Sequence, residues 1–174
     1  HIELLRSNDG KFWTNHGSIH PEGGPANDGW AYRAPSISVV PDGRLVMKSS
    51  RFEPRDALFD VESESSAHCE LVLLWSEDQG VTWGDPQVVD VNLSRDQYNW
   101  NGAGTLLQLS HNRWMYPLET WKPEGASGPP DQKAAAVFSE DQGRTWGEFT
   151  VVADDPSGAL LWWDQMCSIL PDGR

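Results

Sequence analysis

Short apolar runs, each closed by Gly, Pro, Asp or Ser, recur along the chain. APSISVV, RLVMKSS and HCELVLLW follow one another between residues 34 and 75, and a further short stretch follows Trp83. Such runs, rich in apolar and β-branched residues and bounded by turn formers, have the pattern of strands. No segment keeps apolar residues at a helical spacing over three turns, so the pattern predicts an all-β chain. Four strands that reverse at each turn form a meander. Its first and third turns then share one end of the sheet, and the second turn and the link to the next unit share the other.

The pattern also repeats. SEDQGVTW at 76–83 returns as SEDQGRTW at 139–146, with an imperfect copy, RSNDGKFW, at 6–13. VVPDGRLVM at 39–47, QLSHNRWMY at 108–116 and ILPDGR at 169–174 keep the same step, and a period of about 60 residues suits a propeller blade with long loops. The expected units are 1–25 as the end of one blade, 28–92 and 99–154 as complete blades, and 164–174 as the first strand of another. Within the phrase the Asp can accept turn amides, the Gly can take a positive φ, and the Ser and Thr hydroxyls can satisfy remaining polar groups. The Trp can bury against a neighbouring unit. Ser76, Asp78, Gly80 and Trp83, with Ser139, Asp141, Gly143 and Trp146, are therefore read as structural. Catalytic groups rarely repeat with the period of a fold, so recognition is expected at the opposite rim.

At 174 residues the chain suffices for one domain or for part of a larger one. Its 38% apolar and 22% charged residues exclude a disordered chain. No apolar run approaches the length of a membrane helix, so no membrane partner is expected. The net charge of -13 opposes a phosphate backbone, which argues against nucleic acid and requires any anion site to be built from local Arg side chains. Cys69 and Cys167 lie in apolar stretches without ligand spacing and read as free thiols. Neither a metal nor a cofactor is expected. Ten Trp imply largely aromatic packing. The chain does not open with Met or a basic-then-apolar leader, so a targeting segment is expected to be absent or removed, with a secreted or periplasmic location favoured.

S-x-D-x-G-x-T-W resembles the Asp box, or bacterial neuraminidase repeat, of the sialidase (neuraminidase) superfamily, and the likeness runs from Ser7 to the last Arg. It implies a six-bladed β-propeller of which this chain supplies about three blades. Tyr32-Arg33-Ala34-Pro35 is similar to the F/Y-R-I-P motif of that family, with Ala34 in place of Ile. There the Arg is one of three that hold the substrate carboxylate, to which a guanidinium offers a matching planar fork. The resemblance also matches Arg51 and, five residues on, Asp56 as general acid or base, followed by His68-Cys69-Glu70-Leu71 for H-A-E-L. The insertion ALFDVESESSA lies between them and leaves Asp60 or Ser66 as alternatives to Asp56. Sialidases use a Tyr activated by a Glu as nucleophile. The resemblance places that pair and the other two arginines on later blades.

In the second unit DQYNWNGAG precedes the first strand and YPLETWKPEG follows the second. Glu119 and Trp121 alternate and so share a side, with Lys122 next. Trp100, Trp121, Trp162 and Trp163 are placed to stack on sugars or to pack blades, and Asp164 adds a carboxylate on the same rim. The expected function is a sialidase-like glycoside hydrolase of the exo-α-sialidase type acting on an acidic sugar. Its candidate catalytic residues are Asp56, Glu119 and Asp164, and its candidate binding residues are Arg33, Arg51, Trp121, Lys122 and Trp163. The alternatives are a non-catalytic carbohydrate-binding propeller, or a lyase or glycosidase acting on uronic-acid or arabinan polysaccharides. Three units do not close a ring that needs four to eight blades. The expectation is therefore either a longer protein or a head-to-tail homodimer.

Overall fold

A computed structural model of the chain describes residues 2–19, 29–60, 62–129 and 131–172. In chain order the strands are β1 (Ile2–Arg6), β2 (Thr14–Ile19), β3 (Ala31–Val39), β4 (Leu45–Phe52), β5 (Phe59–Asp60), β6 (Ser65–Ser66) and β7 (Cys69–Ser76). There follow β8 (Gln87–Val88), β9 (Asn99–Gly102), β10 (Leu107–Gln108), β11 (Trp114–Pro123), β12 (Ala134–Ser139) and β13 (Gly147–Ala153). The hairpin β1–β2 stands alone, and β3-β4-β7-β8 form an antiparallel meander. In the second large sheet β9 and β10 both pair with β11, followed by β12 and β13.

The strand β7 shows why its apolar run is continuous rather than alternating. Leu71 and Leu73 face the second large sheet, where they join Tyr116, Leu118, Ala135 and Val137. Val72 and Leu74 point the other way, toward Met47, Trp83 and the hairpin residues Ile2 and Ile19. A strand buried on both faces needs an apolar residue at every position, and each fully buried Leu or Val contributes up to about 1.5–3 kcal/mol.

Three features depart from the sequence expectations. The first strand of the second blade is split: β9 pairs with Leu118–Trp121 and β10 with Trp114–Met115. Asn99–Gly102, expected as a loop, is thus strand, and Trp100 is buried beneath the guanidinium of Arg95. The insertion forms the hairpin β5–β6, whose Ser65–Ser66 pair in parallel with Lys122–Pro123 of β11, so it leaves its own blade for the next one. The stretch 164–172, expected as a first strand, has no paired strand among the described residues, and Met166, Ile169 and Leu170 are exposed. Without a ladder partner its backbone groups have no strand to join. Residues 173 and 174 of that unit, and 20–28 between the first two, lie outside the described residues.

Candidate functional site

The repeated phrases close the turns after β7 and β12 by the same set of bonds. Ser76 Oγ donates to Asp78 Oδ1 (2.8 Å) and accepts from Gly80 N (2.7 Å), while Asp78 accepts from Thr82 N (2.9 Å) and Thr82 Oγ1 (2.7 Å). Ser139, Asp141, Gly143 and Thr145 repeat the pattern at 2.7–2.8 Å. Gly80 and Gly143 both sit at φ 81°, a conformation that favours glycine. Hydrogen bonds from Thr82 hold the Asp78 carboxyl down at about 2, and those from Thr145 do the same for Asp141. In the imperfect copy Asp9 caps the turn of β1–β2 through Lys11 N and Phe12 N. The Asp78 and Asp141 carboxylates are thus engaged within their own turns.

Arg33 lies at the far end. Leu45 pairs with Ser76 beside the box, whereas Ser50 pairs with Arg33, and the run from Leu45 to Ser50 spans about 17 Å at the usual strand rise. The ladder slips between Arg33 and Ser36, with Ala34 at φ 48°. A bulge of this kind re-aims the neighbouring side chain. A β-branched residue is poorly tolerated at that φ, which accounts for Ala in place of Ile. Ser49 Oγ anchors the Arg33 carbonyl at 2.8 Å. The guanidinium is exposed and has neither an ion-pair nor a hydrogen-bond partner among the described residues.

Around Arg33 is a cleft of about 500 Å³ whose lining includes Arg55, Asp56, Asn101, Phe52 and Phe59. One wall is formed by residues 55–59, which with their neighbours are held by bonds of long sequence range. Arg55 pairs with Glu124 and with Glu53, and Asn99 Nδ2 donates to Ser66 Oγ at 2.9 Å. The Phe59 ring packs on Phe52 at 5.4 Å and on Trp121 at 4.8 Å, and Trp121 in turn packs on Trp163 at 4.9 Å. Asp56 is an exposed lining residue. Asp60 instead closes the β5–β6 turn, accepting from Glu62 N, Ser63 N and Ser63 Oγ, and the Ser63 hydroxyl leads in holding its carboxyl below the usual range. Ser66 is buried in β6.

Glu119 and Trp121 do share a side of β11, but that side is closed rather than open to the cleft. Glu119 is 2% exposed and accepts Asn101 Nδ2 (3.0 Å), Trp121 Nε1 (3.2 Å) and Asp164 N (3.0 Å). Burial raises its carboxyl, against the pull of the three N–H groups. Trp121 is 4% exposed between Phe59 and Trp163 and presents no free face to a sugar, whereas Trp163 is 54% exposed. Asp164 is exposed but does not line the cleft. Arg51 is paired with Glu70 (2.6 Å) and stacked on Trp30 (4.5 Å). Burial alone would lower its pKa, but the bonds to Glu70 and Tyr32 raise it on balance. Lys122 donates to Gly128 O (3.0 Å) and borders a separate depression of about 320 Å³ with Tyr98 and Asp131.

The structure therefore brings Arg33 and Asp56 together and leaves Glu119, Asp164, Arg51, Trp121, Lys122 and Trp163 outside the cleft lining. Three lining residues were missed in the sequence. Arg55 carries no motif. Phe59 was visible only as an apolar residue in an acidic loop. Asn101 pairs with Glu119 as Arg33 pairs with Ser50, and Glu119 follows Trp114 as Ser50 follows Leu45, so Arg33 and Asn101 hold equivalent blade positions. Aligning the two units residue by residue would have shown it.

No protein-family model matches the chain, and no curated protein matches it. Among solved structures, the Hadza microbial sialidase Hz136 superposes with a TM-score of 0.58 at 15% sequence identity over 83% of this chain. The chain spans 30% of that protein's length. At that identity the likeness shows the fold alone: the chain has an all-β, sialidase-like fold and forms part of a β-propeller.

Proposed function

We propose that the cleft binds an acidic sugar and forms part of the site of a sialidase-like glycoside hydrolase. The observation that carries this reading is the pairing, in one cleft on the rim opposite the boxes, of a guanidinium at Arg33 that has no partner among the described residues with an exposed carboxyl at Asp56. Arg33 receives the sugar carboxylate as a planar donor fork. Asp56 rather than Asp60 is the acid or base, because a proton donor must be free to reach the glycosidic oxygen and Asp60 is tied into its own turn. Glu119 orients its neighbours instead of touching substrate. The nucleophile implied by the resemblance belongs to another blade of the ring.

One observation favours a second reading, carbohydrate binding without turnover. Glycoside cleavage takes two groups flanking the bond, and with Glu119 buried the lining of this cleft offers one carboxylate, Asp56. Binding of N-acetylneuraminic acid and of neutral galactose, followed by calorimetry, tests the shared part. Arg33→Ala should weaken the acidic sugar roughly 10- to 100-fold, the range of a charged hydrogen-bonded contact, and leave the neutral one unchanged. Equal losses for both sugars reject the role. Turnover of a fluorogenic sialoside by the wild type that Asp56→Asn removes, with binding retained, selects the hydrolase over the binder.

A further inference from the structure

Beneath the cleft, in the apolar interface between the two large sheets, lies a charge the reading above does not use. Lys48 is 1% exposed on the face of β4 that also carries Val46 and Ser50. A lysine there is expensive: burial favours its neutral form, and an apolar residue of similar size would pack the same space at less cost. The surrounding geometry shows what it holds. Lys48 Nζ donates to Gly102 O at 3.4 Å, and Ser50 Oγ accepts from Gly102 N at 2.8 Å, so two residues of β4 grip one residue of β9 on both sides. Gly102 fits because any side chain would run into Tyr116, 2.8 Å from where its Cβ would stand. The residue before it is Asn101, whose side-chain amide is held by Glu119 and which lines the cleft with Arg33.

We propose that Lys48 is a positioning residue for the cleft: its buried ammonium fixes the Gly102 peptide, and this sets Asn101, held on its other side by Glu119, against the ligand bound by Arg33. Asn101 Oδ1 is buried and has no partner among the described residues, so its placement decides which donor of a ligand or bridging water the cleft accepts. The inference rests on the proposed acidic-sugar site and adds a specificity residue to it.

The titratable groups facing Lys48 are Glu119 and Tyr116 of β11, and Tyr116 in turn lies near Cys69 of β7. Burial raises the Tyr116 phenol and the Cys69 thiol, so neither ionises near neutrality. Burial lowers Lys48 to about 8, against the attraction of Glu119. A lysine depressed in the fold opposes folding while charged, and the unfolded chain holds more protons between about pH 8 and the ordinary 10.5. The Lys48 contribution to stability therefore rises with pH across that window. Sugar binding must move the other way, because the competent, charged form falls about tenfold between pH 7 and pH 9.

The experiment follows N-acetylneuraminic acid affinity by calorimetry from pH 6 to 9.5, with urea midpoints at each pH and the side-chain amide resonance of Asn101 in the sugar-free protein. The wild type should lose about tenfold in affinity by pH 9 without losing stability, and the Asn101 amide should shift with the same midpoint. Lys48→Met should be at least as stable as wild type yet bind about tenfold more weakly at pH 7, with no further fall. If affinity follows the urea midpoint, or if Lys48→Met binds and titrates like wild type, the positioning role is overturned. If no sugar binds at any pH while the Asn101 amide still titrates and Lys48→Met abolishes that titration, the acidic-sugar reading fails and the control of Asn101 by Lys48 stands. An Asn101 amide unmoved between pH 7 and 9 overturns the inference whatever the sugar does.

Discussion

The two rims of the blades solve the same problem, closing loops at strand ends, by opposite means. At the box rim the bonds of the Ser, Asp and Thr side chains lie within four residues, from Ser76 to Asp78 and Gly80 and from Asp78 to Thr82, while Gln87 Nε2 ties one blade to the Gly143 carbonyl of the next box. At the cleft rim the corresponding bonds are long-range: Arg55 reaches Glu124 across 69 positions, Asp164 N reaches Glu119 across 45, and Asn101 reaches it across 18. A turn whose Ser, Asp and Thr side chains satisfy one another can be copied from blade to blade with few demands on its neighbours. A wall assembled from several units can differ at each blade and so build one asymmetric site. The comparison teaches that recurrence marks structure here and that its interruption, by the 57–67 insertion, coincides with the cleft around Arg33.

The sharpest way to break this contrast is to remove the part of a box that does reach a neighbour. Trp83 is buried among Met47, Val72 and Leu74 and the residues Ile2 and Ile19 of β1–β2, with its indole N–H unpartnered, so its contribution is apolar packing. Trp83→Ala is expected to cost about 3–5 kcal/mol of stability, as large aromatic truncations in cores do. Urea unfolding measures it. Sugar affinity at low denaturant should stay within about twofold, because the cleft is built at the opposite end of the same strands. A large affinity loss in a still-folded variant would show that the rims are coupled.

That division also explains what could be read from the chain. The box turns, the meander of 31–88 and the apolar run of β7 follow from local chemistry and from a strand buried on both faces, and both are written in consecutive residues. The split of β9 from β10 was hidden because DQYNWNGAG, with its two glycines, reads as a loop before the first strand, whereas Gly102 is a strand residue pressed against Tyr116. Arg33 was legible through its motif. Glu119 was placed on the correct side of β11, but nothing in YPLETWK says that Asn101 and Asp164 cover that side. Phe59 and Arg55 acquire meaning only from Trp121 and Glu124, more than 60 positions away, and no spacing rule joins them.

A smaller expected effect sharpens the cleft side. Phe59 is half-buried and holds the strap between Phe52 and Trp121. Phe59→Ala should cost only about 1–2 kcal/mol of global stability, below the range of a fully buried aromatic. It should free the β5–β6 amides to exchange with solvent and weaken N-acetylneuraminic acid binding several-fold through loss of the wall. Hydrogen exchange read residue by residue separates the two rims: protection should fall at Phe59–Ser66 and stay unchanged at Gly80 and Gly143. Equal loosening at both would contradict a wall that is independent of the boxes.

The smallest effect comes from the box carboxylates, and its sign is fixed by their pKa values. Asp78 and Asp141 are held at about 2 from an ordinary 3.8 by hydrogen bonds from their own turns. A carboxyl depressed in the fold adds stability that is fully present above the unfolded value and is lost as pH falls through the folded one, so the box contribution should fade between about pH 4 and pH 2. Asp60 in the strap is lowered by the same turn chemistry, which makes it an internal control. The double variant Asp78→Asn, Asp141→Asn should flatten the acid limb of the stability curve, read from urea midpoints at pH 7, 4 and 2.5, whereas Asp60→Asn should leave that limb nearly intact and change only exchange in the strap. Because Asp78 is exposed and Asp141 only partly buried, water competes for their bonds and the change should be a fraction of that from Trp83→Ala. An Asp60→Asn effect as large as the double variant's would mean that the strap shares the cooperative unit of the blades, and the distinction between a self-contained rim and an assembled one would fall.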